Sequence, residues 1–196
     1  MSTVAVPSKA STIIVARPKE RDGFEVLMTR RPSNMQVLAG FLVFPGGGVE
    51  EVDWSDRMLL RCRGLSPAEA QQILGTDMTP EQSMAHWVAA VRELFEEAGL
   101  HFFVSDSGIA ADVAQNGVAD RLAEKREALS KGRLDLPGLL ESEQLFCDVG
   151  RLQIVEDLPQ LEEATLLEEL FDLCCRKFGL HGLNLFRPWR PLAAAG

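Results

Sequence analysis

The segment Arg92-Glu93-Leu94-Phe95-Glu96-Glu97-Ala98-Gly99-Leu100 puts the carboxylates of Glu93, Glu96 and Glu97 on one helical turn, just ahead of a glycine. Residues at i, i+3 and i+4 share a helix face, so these acids repel one another. Gly99 is suited to end the helix, which sets the acids at the negative end of the helix dipole, where each charge is opposed by roughly 0.3–1 kcal/mol. A bound cation offsets both penalties. An all-oxygen donor set with no Cys or His triad beside it suits magnesium or manganese better than zinc. The competing reading is a solvated acidic face, with Arg92 and Glu96 in an ordinary i,i+4 pair. A second segment favours the metal: Phe41-Leu42-Val43-Phe44-Pro45-Gly46-Gly47-Gly48-Val49-Glu50-Glu51 is an apolar strand pattern running into glycines. Gly46, Gly47 and Gly48 let backbone amides and carbonyls approach a ligand closely. Strand, glycine turn and acidic helix together make a phosphate-and-metal arrangement.

The elements that must hold this turn are legible in outline. Thr12–Arg17 and Phe24–Arg30 are apolar or β-branched runs separated by Pro18 and Arg21-Asp22-Gly23, which predicts an antiparallel hairpin. A loop from Arg31 to Ala39 leads to a third strand ending at Phe44. Short helices are expected near Asp56–Arg63 and, after Ser66, Pro67–Leu74. Thr79-Pro80-Glu81-Gln82 is a helix start, and Met84, Val88, Val91, Leu94 and Phe95 give that helix a buried stripe up to Gly99. Leu100–Val104 reads as a strand. Helical periodicity then dominates over Val118–Ser130, Pro137–Phe146 and Leu161–Phe178, with Leu152–Val155 a further strand, and the end from Pro191 is expected to fray.

The chain has 196 residues, 46% of them hydrophobic and 25% charged, enough for one well-packed domain. Its formal net charge of −9 argues against a duplex nucleic-acid partner, which calls for a basic footprint. Cys62, Cys147, Cys174 and Cys175 lack zinc spacing and read as buried free thiols, which suits a reducing cytoplasm. No apolar run has the length of a membrane span, and Met1–Ala10 lacks the apolar block of a signal peptide, so a soluble cytoplasmic protein is expected.

The residues resemble a known family, the Nudix hydrolases, whose signature is Gly, five residues, Glu, seven residues, Arg-Glu-aliphatic-any-Glu-Glu-any-Gly-aliphatic. Arg92–Leu100 matches the whole second half. Gly47, five residues and Asp53 resemble the first half, with Asp for Glu, and the longer stretch Trp54–Val91 stands where the family usually has seven residues. Such an insertion is similar to the coenzyme A diphosphatase-like subgroup, as is Val26-Leu27-Met28-Thr29-Arg30-Arg31-Pro32 followed by Phe44-Pro45-Gly46-Gly47. The resemblance covers about residues 10 to 105. It implies an α/β (α+β) fold: a Nudix-like mixed sheet with the acidic helix packed on it, a core over 10–108 with a helical insertion at 54–80, and a mostly helical part over 109–190. It also implies that Glu96 and Glu97 bind Mg2+ or Mn2+, that Glu93 is a third ligand or the base activating water, that Arg92 orients Glu93, and that a Gly46 or Gly47 carbonyl completes the metal shell.

Arg30 and Arg31 are suited to hold substrate phosphates by bidentate contacts, or stand as surface charges. Glu50, Glu51 and Asp53 are second-rank site candidates that read more readily as solvated loop charges, and Trp54 and Trp87 read as core rather than base-stacking residues. His86, His101 and His181 are assigned no catalytic role. The expected substrate is a small nucleoside diphosphate linked to another moiety, coenzyme A or its derivatives being favoured and ADP-ribose or an ADP-sugar an alternative. A catalytically weak nucleotide-binding or regulatory module is the rival, and an acidic scaffold without ligand a third reading. Few strands are expected after the acidic helix, and Leu180–Trp189 is similar to a segment that precedes the missing strands in the subgroup. A homodimer in which apolar helices cover an exposed sheet edge is one physical remedy.

Overall fold

In the computed structural model, which describes residues 9–18, 24–31, 33, 39–75, 77–112 and 117–152, the chain is an α+β protein, and the longest helix among the described residues carries the acidic turn. That helix starts where the sequence signals it: the Thr79 hydroxyl accepts from the Gln82 amide at 3.2 Å, and Pro80 occupies the first turn. It ends at Gly99, whose φ of 70° lets its N–H close back on the Phe95 carbonyl. Met84, Val88, Val91, Leu94 and Phe95 are 0–1% exposed. Side chains of this kind each contribute about 1.5–3 kcal/mol by leaving water.

The strands are short: β1 (Ala10–Thr12), β2 (Ala16–Pro18), β3 (Phe24–Val26), β4 (Thr29–Arg30), β5 (Leu42–Val43), β6 (Gly46–Gly48), β7 (Cys62–Arg63), β8 (Phe103–Val104) and β9 (Phe146–Asp148). The helices are α1 (Asp56–Leu59), α2 (Pro67–Leu74), α3 (Pro80–Ala98), α4 (Val118–Ser130) and α5 (Leu136–Ser142), with a 3-10 turn at Glu51–Trp54. Two compact units divide the chain, one of Met1–Ile13 with Thr29–Leu152, the other of Ile14–Met28 with Gln153–Gly196. In the second, the expected hairpin is present as β2 paired antiparallel with β3, Ala16 opposite Val26. Thr12 does not belong to it. Its strand, β1, lies in the first unit, antiparallel to the glycine strand β6 with Ala10 opposite Gly48 and Thr12 opposite Gly46. Arg30 likewise sits apart from β3, in β4, which pairs with β5.

Within the first unit, α2 is the main packing partner of α3, and the 3-10 turn, β6 and β1 flank it. Helix α2 carries a full capping box: Ser66 Oγ accepts from the Glu69 amide while Glu69 Oε2 accepts from the Ser66 amide at 2.8 Å. The insertion is not wholly helical. The helix expected over Asp56–Arg63 stops at Leu59, and Cys62 and Arg63 form β7, parallel to β9 with Cys62 opposite Cys147. Strand β8 joins β9 from the other side, antiparallel. The helix expected over Pro137–Phe146 likewise ends at Ser142, and Phe146 opens β9 at the centre of this three-stranded sheet. Phe146 is drawn into the sheet by packing rather than periodicity: the guanidinium carbon of Arg63 stands 3.6 Å from its ring centroid and that of Arg61 stands at 5.0 Å.

Cys62 and Cys147 are free and buried, as expected, and burial pushes the Cys62 thiol up to about 12 and the Cys147 thiol well above its ordinary value. Trp87 is 4% exposed and belongs to the core. Leu152 follows a second 3-10 turn and is in no strand; residues 153–155, the helix expected over Leu161–Phe178, Cys174, Cys175, His181 and Leu180–Trp189 lie outside the described residues. Among the described residues no helix is long and apolar enough to cross a membrane.

Candidate functional site

Arg92 organises the acidic turn. It is 4% exposed, and every one of its guanidinium nitrogens is engaged. Nε donates to Asp53 Oδ1 at 2.9 Å and Nη2 to Asp53 Oδ2 at 3.0 Å, a bidentate fork. Nη2 also donates to the Gly48 carbonyl at 2.7 Å, and Nη1 to Glu93 Oε1 at 2.8 Å and Glu96 Oε1 at 3.3 Å. One residue therefore ties together the glycine strand, the 3-10 turn and two acids of α3. Burial alone would lower the Arg92 pKa, but its bonds and charge pairing with Asp53, reinforced by Glu93 and Glu50, raise it instead.

Asp53 overturns the reading as a solvated loop charge: it is 1% exposed. Besides the Arg92 fork, its Oδ2 accepts from the Glu50 amide at 2.9 Å, so the carboxylate is fully paired. Its position five residues after Gly47 carried the signal; nothing local in the sequence showed a partner beyond the insertion. Glu50 and Glu51 are exposed as expected, Glu50 standing 3.9 Å from Arg92 Nη1.

Gly47 lies against Glu93 so closely that a Cβ there would overlap the Glu93 carboxylate. Glycine here permits the close approach to the Glu93 carboxylate; its φ is not in the left-handed region. Gly46 pairs with β1 and Gly48 contributes the carbonyl held by Arg92. Glu97 points elsewhere, its Oε2 accepting from Thr29 Oγ1 at 3.0 Å. Arg30 and Arg31 part company. Arg30 is exposed and donates to the Gly40 carbonyl at 2.7 Å, while the Arg31 Nε is buried without a hydrogen-bond partner and its charge acts on Glu97.

Desolvation raises the Glu96 pKa above the ordinary 4.5, against the pull of Arg92. Desolvation also raises Glu97, which Thr29, the Gly46 amide and Arg31 oppose and Glu93 reinforces. These are carboxylates whose charge is incompletely compensated, the condition a hard cation relieves. Glu93, Glu96 and Glu97 offer oxygen donors, the atom type Mg2+ or Mn2+ prefers. Among the described residues, however, no three acidic, histidine or cysteine side chains converge as a ready-made metal cage; Arg92 holds Glu93 and Glu96, and Thr29 holds Glu97.

His86 and His101 stay outside the site. His86 meets Ser11 Oγ at 3.0 Å through Nδ1, and His101 stacks on Phe103, with ring centroids 4.9 Å apart; burial lowers both pKa values.

Comparison with solved structures brings out a protein from Alicyclobacillus acidocaldarius, which this chain matches with a TM-score of 0.56 and 29% sequence identity. That protein is a Nudix hydrolase. The match covers 76% of this chain and 60% of that one. No family model matches, and neither does any curated protein. The mixed α+β fold with α3 against the glycine strand is thus Nudix-like, and the Arg92 network joins the residues that resemble the two halves of the Nudix signature.

Beside this network is a cavity of about 500 Å3 lined by Glu50, Val52, Arg92 and Glu96 and, from the α4–α5 connection, by residues that include Ser130 and Arg133. The sequence offered no sign of this wall, since Ser130 ends α4 and Arg133 lies in the polar turn that follows.

Proposed function

We propose that this chain hydrolyses a nucleoside diphosphate linked to another moiety, in a Nudix-type, metal-dependent reaction, with coenzyme A or its derivatives the favoured substrate class. The observation that carries the reading is the Arg92 network, which holds Glu93 and Glu96 beside the close-packed Gly47 strand. Glu96, Glu97 and Glu93 would hold Mg2+ or Mn2+, with the Gly47 carbonyl beside them. Such an ion supplies charge neutralisation on the phosphates and lowers the pKa of a bound water.

The chain's own residues do the rest. Glu93, oriented through Oε1 by Arg92, accepts the proton of the attacking water as an O–P bond forms and the bridging P–O bond breaks, the electron pair leaving with the departing phosphate. Arg30, exposed with Nη1 engaged on Gly40, and Arg31, whose charge acts on Glu97, are the cations that would take substrate phosphate oxygens. The coenzyme A preference is supported by the long insertion between glycine loop and acidic helix. The test is phosphate-ester release from coenzyme A, ADP-ribose and an ADP-sugar with Mg2+ or Mn2+. Glu96→Gln and Glu97→Gln are expected to cut turnover by about a hundredfold or more, the several kcal/mol that a catalytic metal supplies; full activity in both would overturn the site.

A second reading, a nucleotide-binding module of weak or no turnover, is favoured by one observation: the carboxylates are already engaged by Arg92 and Thr29. Calorimetric binding of nucleotide with no product at any metal concentration would decide for it.

A further inference from the structure

We infer that Arg126 of α4 is a positioning residue for the metal-bearing turn, an inference that rests on the proposed site. Its Nε donates to the Glu96 carbonyl at 2.9 Å and its Nη2 to the Glu97 carbonyl at 2.8 Å. The last carbonyls of a helix have no partner within it, and a cation there also complements the dipole. Arg126 meets both needs at the two residues whose side chains are the proposed metal ligands.

Three features set this contact apart from ordinary helix capping. The guanidinium takes the backbone oxygens of Glu96 and Glu97 and leaves their carboxylates alone, whereas Arg92 takes carboxylates. The backbone beneath the ligands is thereby fixed while their side-chain oxygens remain available. Other long cations of α4 turn away from α3: Arg121 Nε bonds Glu143 and Lys125 bonds Ser142. The fork also lies close over Gly99, where an added Cβ would stand 3.1 Å from Arg126 Nη1, so the glycine stop that ends α3 also makes room for the guanidinium.

The sign of one measurement separates positioning from charge. A guanidinium near a divalent ion repels it, so on charge alone removing Arg126 would tighten metal binding. Loss of an anchor beneath the ligands loosens it. Mn2+ titration calorimetry on the substrate-free full chain is expected to show about tenfold weaker binding for Arg126→Ala, the loss typical when a group orienting metal ligands is removed. Arg126→Lys, which keeps the charge but not the fork, should lose less. Arg121→Ala is the control for general disturbance of α4 and should bind Mn2+ as the parent does. Affinity in Arg126→Ala equal to or tighter than the parent's, with only a lowered unfolding midpoint, would overturn the inference and leave a plain helix cap. Should Arg126→Ala fail to fold, undiminished affinity in Arg126→Lys overturns it equally. A parent chain with no Mn2+ binding that depends on Glu96 and Glu97 would instead overturn the proposed site, and this inference with it.

Discussion

Two arginines of this chain, Arg92 and Arg57, each bind two or more carboxylates, and they differ in almost everything that decides what such contacts are worth. Arg57 bonds Glu141 at 2.7 Å and Asp135 at 3.0 Å, with more than half of its side chain in water. Arg92 and Asp53 are 4% and 1% exposed, and their fork draws in the Gly48 carbonyl and two acids of α3. In water the two ions of a pair lose little by separating, and salt screens what they gain. Inside the protein each would be left as an uncompensated buried charge. The short distances are alike in both places. What differs is the cost of removing one partner, so Arg57 ties α1 to α5 at the surface while Arg92 fixes the position of the candidate site.

Arg92→Ala is therefore expected to have the largest effect, destabilising the chain by about 3–5 kcal/mol, since it strands Asp53 in the interior. Urea unfolding reads this directly, and Asp53→Ala should come close to it. Gly47→Ala comes next: the added methyl must push the glycine strand or Glu93 aside, so turnover should fall more than stability does, read as kcat against unfolding midpoint. A smaller effect, of opposite sign, is expected for Glu97→Gln. The folded-state pKa of Glu96 and Glu97 is raised, so the folded chain holds more protons than the unfolded one, and metal-free stability falls as pH rises from the ordinary 4.5 through their raised values. Removing one such acid should flatten that fall and slightly raise the midpoint at neutral pH; a Glu97→Gln midpoint that drops at neutral pH would count against the electrostatic picture. Smallest of all, Arg57→Ala should leave the unfolding midpoint almost unchanged. A loss comparable to that of Arg92→Ala would erase the contrast between the two clusters.

What the sequence made legible was local. Thr79, Pro80 and Gly99 bound α3, Ser66 starts α2, and the periodicity over Val118–Ser130 matches α4, because caps and amphipathic stripes are written within a few residues of the elements they set. The acidic turn was legible for the same reason. Asp53 was not, because its partner lies 39 residues away across the insertion and a loop aspartate with two acidic neighbours looks solvated. Strand β9 was missed since Leu139, Leu140 and Phe146 continue a helical spacing on paper, while Glu143 and Gln144 turn the chain, Gln144 with a φ of 55°. Arg126 carries no motif at all; its role depends on where α4 lies against α3.

The register that places Cys62 beside Cys147 has a consequence for how the molecule assembles. Parallel strands cannot close by a tight turn, and here the whole of α2, α3, α4 and α5 lies between the two. Such long-range pairings form late, since the chain entropy of closing the loop is lost before the contact rewards it. During synthesis the acidic turn leaves the ribosome well before both β9 and the arginine that caps it. The helix bearing the proposed ligands must therefore stand for a time on the elements made before it, α2, the 3-10 turn, the glycine strand and β1.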